Sequence, residues 1–181
     1  MSGIVRRARQ RGMVLITTLL LLVVVTILAL GMFRSFGLDE KIAGNLRDKE
    51  LALHAAESAQ QYAEFWLSSG NGTNSVTCSS LVSSSVGQTC SNPLTNVTSV
   101  PWLIAAVPVG VSYSPPTLGV TDATTMSQQP VFYIANLGSA PSGNGTIYQI
   151  DAVGYGGSAN TTAIVESTYL VQSSVKDLGG Q

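Results

Sequence analysis

What this chain lacks narrows its possible roles before anything it contains does. Between Gly70 and Val175 there is no lysine or arginine, and only Asp122, Asp151 and Glu166 carry charge. Binding nucleic acid requires a basic footprint to displace counterions from phosphates, so the distal chain is not built for it. The chain has a single histidine, His54. Ser/His/Asp chemistry would have to recruit it, and the sequence has no Gly-x-Ser-x-Gly elbow, no P-loop and no dinucleotide fingerprint. We therefore expect no enzyme and no cofactor. A metal site is not expected either. Glu57 and Glu64 follow His54 on the same stretch, but one histidine with two glutamates on a helix is the pattern of a solvated face.

Proline is absent from Met1 to Asn92, so a helix there meets no breaker. Ionisable residues are absent from Met13 to Phe33, where fourteen positions are Leu, Ile, Val or Phe. About 21 residues at 1.5 Å each reach roughly 30 Å, the thickness of a hydrocarbon core. Such a run contributes on the order of −4 to −8 kcal/mol toward insertion. A secretory signal core is usually about 7 to 15 residues and ends in a small-x-small cleavage site. Gly31-Met32-Phe33-Arg34 offers no such site, so the segment is expected to be kept. Arg6, Arg7, Arg9 and Arg11 outnumber Arg34 on the far side, which places the N-terminus in the cytoplasm and sends the rest outward. Thr17, Thr18 and Thr26 can return their hydroxyls to carbonyls one turn back, so they do not exclude a membrane helix.

Helical periodicity continues past the apolar run. Leu38, Ile42, Leu46, Leu53, Ala56, Ala59, Ala63 and Trp66 recur mostly every three or four residues, among interleaved charges of both signs. This predicts one helix from about Met13 to Leu67, with Leu38, Ile42, Leu46 and Leu53 assigned first to packing. Gly31, Gly37 and Gly44 each cost about 1 kcal/mol against alanine. They mark either a bend or tolerated surface positions. Ser68-Ser69-Gly70-Asn71-Gly72 ends the helix with turn-forming residues.

Only two cysteines occur, Cys78 and Cys90, with eleven residues between them. In an exported compartment such an isolated pair reads as a disulfide, worth roughly 3 kcal/mol for a loop of this length. Zinc would want three or four ligands, and His54 lies far upstream. The Ser/Thr-rich stretch 73–99 therefore reads as a stapled loop. Strand-like runs follow at 102–113, 131–137, 146–155 and 161–171, separated by Pro/Gly/Asn/Ser clusters, and the last three suit an antiparallel meander. Asn-x-Thr triplets at Asn71, Asn96, Asn144 and Asn160 read as turns rather than glycan acceptors.

The motifs together are a basic leader ending in Gly12, the apolar helix, Arg9-Gln-Arg-Gly-Met13, Glu40-Lys-Ile-Ala-Gly-Asn-Leu-Arg-Asp48 and Ala52-Leu-His-Ala-Ala-Glu-Ser-Ala59. In these the chain resembles the PilX-type minor pilins of type IV pili. Tyr148-Gln-Ile-Asp-Ala-Val-Gly154 and Val165-Glu-Ser-Thr-Tyr169 are similar to that family's closing strands, while 70–145 carries no resemblance.

The resemblance implies an α+β, pilin-like fold, a long helical spine packed on a small antiparallel sheet of four or five strands. It implies a cleaved leader (1–12), an assembly helix (13–33), an amphipathic extension (34–67), a periplasmic β domain (68–175) and a flexible tail (176–181). It also implies cleavage by prepilin peptidase between Gly12 and Met13, N-methylation of Met13, and passage from the inner membrane, N-terminus cytoplasmic, to a surface pilus. The implied partners are the major pilin, other minor pilins, a large tip adhesin and the inner-membrane assembly platform. Major pilins carry glutamate five residues into the mature chain, where this chain has Thr17. A carboxylate in the membrane is costly and is kept only with a partner, which a hydroxyl cannot replace. The expectation is a subunit that initiates assembly at the tip and supports twitching and adhesion. Two rivals stay open: a type II secretion pseudopilin, and a single-pass periplasmic anchor that retains its leader.

Overall fold

The computed structural model describes residues 11–116, 126–141 and 143–172; most of the expected leader and the expected tail lie outside them. The chain divides into two compact units, 1–45 and 46–181. In the first, the described residues are the N-terminal part of a single helix, α1 (Arg11–Ser68). It is long and apolar enough to cross a membrane, and its apolar window buries nothing. Each threonine hydroxyl donates to a carbonyl one turn back: Thr17 to Val14 (3.0 Å), Thr18 to Leu15 (3.0 Å) and Thr26 to Val23 (2.8 Å). The helix continues through Gly31, Gly37 and Gly44, and a Cβ at any of them would meet nothing within 4 Å. They are tolerated surface positions.

The second unit begins with the C-terminal turns of α1. The helix ends where Gly70 adopts a left-handed φ of 87°, and Ser69 N–H donates to Phe65 O at 3.0 Å. Such a cap satisfies carbonyls that the helix can no longer pair. A 3-10 turn, Asn71–Thr73, follows.

Next come β1 (Ser75–Val76), β2 (Leu81–Ser83), β3 (Thr89–Cys90), β4 (Leu103–Ile104), β5 (Val107–Pro108) and β6 (Gly110–Ser112). Three long strands close the chain: β7 (Val131–Ser139), β8 (Thr146–Tyr155) and β9 (Thr162–Val171). Strands β6, β7, β8 and β9 pair antiparallel in sequence, so the expected meander is present and β6 extends it. Among the described residues the sheet is nonetheless mixed and seven-stranded, because β1 pairs parallel with β3, β3 with β7, and β2 with β6. The stapled loop supplies these three short strands. Separately, β4 and β5 form a small hairpin.

Strand alternation sorts the long strands onto two faces. Phe132 and Ile134 of β7, with Tyr148, Ile150 and Ala152 of β8, face a core shared with Ala59, Ala63 and Leu67 of the helix. Tyr133, Ala135, Val153 and Tyr155 face a second core with Cys78, Cys90, Trp102 and Val109. The central strands are thus covered on both sides.

One packing expectation is corrected. Leu46 and Leu53 are 59% and 40% exposed, and Leu38 and Ile42 are exposed as well. The buried positions of the pattern are Ala56, Ala59 and Ala63, which with Ala52 are each at 0%, and the stripe ends in Leu67. The physical cause lies in β8. A Cβ at Gly154 would collide with the Ala52 carbonyl oxygen and the Ala56 nitrogen. Backbone meets backbone there, and only small side chains fit between.

Candidate functional site

The first two turns of α1 hold Gly12, Met13 and Thr17, the residues singled out for processing and assembly. Met13 is 72% exposed. The Thr17 hydroxyl proton is already committed to Val14 O within its own helix. What this surface offers a neighbour is apolar area and no charge. Helices without countercharge pair in a bilayer through close packing rather than ion pairs.

Within the second unit, Asp48 is the most connected side chain of the helix. Its Oδ1 accepts Gly157 N–H at 2.5 Å and Ser158 N–H at 3.4 Å. A hydrogen bond from the Thr161 side chain, more than these backbone donors, holds the carboxyl below its ordinary range, with desolvation opposing. Next to it, the Lys49 ammonium donates to Thr162 O. The turn joining β8 to β9 is thereby clasped by two consecutive helix residues. Gly156 is required in this turn, since a Cβ would press on the Asp48 carboxylate at 2.6 Å. The sequence contains the signal, a Gly-Tyr-Gly-Gly run and an Arg-Asp-Lys-Glu run, but nothing in it connects them.

The disulfide joins Cys78 to Cys90, as read from the sequence, with the Cα atoms 5.3 Å apart. Asn92 braces it from the side. It accepts Cys78 N–H at 2.8 Å, donates to Cys78 O at 3.0 Å, and its own carbonyl accepts the Tyr133 hydroxyl at 2.6 Å. The Trp102 indole donates to Val97 O at 2.8 Å, fixing the loop across the second core.

One buried acid was not anticipated. Asp151 is fully buried in β8, opposite Tyr133 of β7 and Glu166 of β9. Gln149 donates to both its oxygens, at 3.1 and 3.3 Å. Burial pushes the carboxyl up to about 6; the Gln149 hydrogen bond works against this and the Glu166 charge adds to it. Burial, then the Asp151 charge, pushes Tyr133 up to about 12. His54 stands exposed on the helix, its Nδ1 3.3 Å from Glu57 Oε2. Glu64 is engaged elsewhere, with Gln60 and Ser167.

A family model described as PilX N-terminal matches residues 11–60. The chain carries a PilX-type N-terminal segment. That segment includes Met13, Thr17 and the Asp48–Lys49 clasp, and the match supports a pilin associated with type IV pili. The chain matches no curated protein and no solved structure. The PilX-type segment ends within the alanine stripe, ahead of the β domain.

Proposed function

We propose that this chain is a minor pilin that enters a type IV pilus at or near its tip and helps to initiate assembly. Prepilin peptidase removes the leader between Gly12 and Met13, and Met13 is then N-methylated. The cut leaves the helix in the inner membrane, ready to pack against the major pilin and other minor pilins once the assembly platform extracts it. The subunit acts by packing and not by catalysis. It supports twitching and adhesion through the fibre it primes, and a large tip adhesin can rest on it.

The observation that carries this reading is Thr17. A repeating subunit in the shaft must meet the charged amine of its neighbour, and Thr17 provides a hydroxyl already bonded to Val14 O. An uncompensated ammonium in the membrane is costly, so this chain fits where no such amine has to be matched.

Thr17→Glu tests the reading. The variant is processed normally and enters shafts more often, so immunogold label spreads from fibre ends to fibre lengths. Label unchanged from the wild type would overturn the charge argument. Intact mass of membrane-extracted protein beginning at methylated Met13 is expected, and a mass beginning at Met1 would remove the pilin reading altogether.

A further inference from the structure

Strand β9 is an edge. It pairs with β8 over ten consecutive residues with no register shift, and among the described residues no strand pairs with its other side. The orientation of its free groups follows from one hydrogen bond. Thr161 O accepts Gly156 N–H, so it faces β8. Backbone groups alternate along a strand, which turns the N–H and C=O of Thr162, Ile164, Glu166, Thr168 and Leu170 outward. Lys49 takes the Thr162 carbonyl. Beyond it, four residues present donors and acceptors that no strand takes among the described residues.

Soluble proteins usually blunt such an edge with lysine, proline, a bulge or a covering element. From Ile164 to Leu170 this strand has none of the first three, and its one charge is Glu166. The surroundings are acidic. Glu64 reaches Ser167 of β9 at 3.2 Å. Glu57 stands two turns earlier on the same helical face, with only His54 beside it. Glu166 is exposed, and its register opposite Asp151 places it on the other face of the sheet from the helix. Among the described residues no lysine or arginine pairs with any of the three. Leu53, on the same helical face, is 40% exposed, and Tyr169 is only half-buried, so apolar surface lies beside the acids.

We infer that the outer edge of β9 receives an extended strand of another polypeptide, one with lysine or arginine alternating with apolar residues. Backbone pairing supplies the affinity and the alternate side chains supply the selection. A basic side chain on either face of the added strand meets a carboxylate, Glu57 and Glu64 on one side or Glu166 on the other. A second copy of this chain is a poor occupant. Its β9 carries no cation, and antiparallel self-pairing would bring like charges at Glu166 together. The inference does not depend on where in a fibre the chain sits.

The probes are two labelled ten-residue peptides, one alternating valine and lysine and the other valine and glutamate, titrated against the full chain in detergent micelles. The lysine peptide binds at least ten-fold more tightly, and bound protein shows slowed amide exchange at Ile164, Glu166, Thr168 and Leu170. Thr168→Pro removes an outward N–H without touching the β8 ladder and abolishes binding. Glu57→Lys with Glu166→Lys reverses the preference between peptides, which keeps the test intact if the proline variant fails to fold. Equal binding of both peptides, or protection elsewhere in the chain, overturns the inference. Self-association that Thr168→Pro abolishes also overturns it, by making the occupant a second copy.

Discussion

Gly154 of β8 lies against the peptide backbone at Ala52, close enough that a methyl group has no room. Helix and sheet meet there without intervening side chains, and the alanine stripe extends the same contact along α1. The closeness of this approach decides which helix face is buried.

Gly154→Ala should therefore cost about 1–3 kcal/mol or more, because the clashing atoms are backbone and cannot rotate away. Leu46→Ser, at a bulkier but exposed residue, should stay within about 0.5 kcal/mol. Urea unfolding of the full chain in micelles, followed by near-ultraviolet dichroism, compares the two. A larger loss for the leucine variant would contradict the packing described.

Asp151 makes stability depend on pH in a direction unusual for a carboxylate. Its folded value of about 6 lies above the ordinary 3.8, so the folded state holds more protons in between. Stability should fall as pH rises from about 4 to 6 and then level off. Asp151→Asn should remove this slope and gain on the order of 2–3 kcal/mol at pH 7. Asp48 works the other way. Its lowered value means its contribution is present above the ordinary carboxylate range and lost as pH falls through the folded value. Thermal midpoints of wild type and both Asn variants from pH 3 to 8 separate the two groups.

Replacing Cys78 and Cys90 by serine should lower stability by roughly 3 kcal/mol through the freed loop. The β1–β3 region should lose exchange protection first, since only Cys90↔Ala135 connects β3 to β7. The β8–β9 ladder should keep its protection.

The β4–β5 turn is strained. Ala105 and Ala106 adopt φ of 49° and 66°, where a Cβ is unfavourable. Asn-Gly suits such a two-residue turn, so Ala105→Asn with Ala106→Gly should raise stability by about 1 kcal/mol. A thermal melt with a higher midpoint checks this.

The helix and the long strands were legible in the sequence because their patterns are locally encoded and sustained over many residues. The helix expected over 13–67 is Arg11–Ser68, and the run read at 146–155 is β8 itself. Strands β1, β2 and β3 were not legible. They have two or three residues each in a Ser/Thr-rich stretch, and only parallel pairing with β6 and β7 makes them strands. The leucines of the amphipathic stretch looked like core because hydrophobicity outweighs smallness in a pattern, while the close approach at Gly154 favours alanine. Asp48 and Asp151 matter through partners more than a hundred residues away or across a sheet, which no local spacing encodes. Thr17 was visible as a departure from a motif, and its bond to Val14 O follows from helix geometry alone.

The clasp at Asp48 and Lys49 also sets where the domain bears load. A pull on the helix where the second unit begins would meet residues 157–162 first, through Asp48 and Lys49. From there it passes into the β8–β9 ladder, whose paired strands share the strain in shear. The disulfide loop and the β4–β5 hairpin take no part in that clasp, so they can vary in sequence without loosening it.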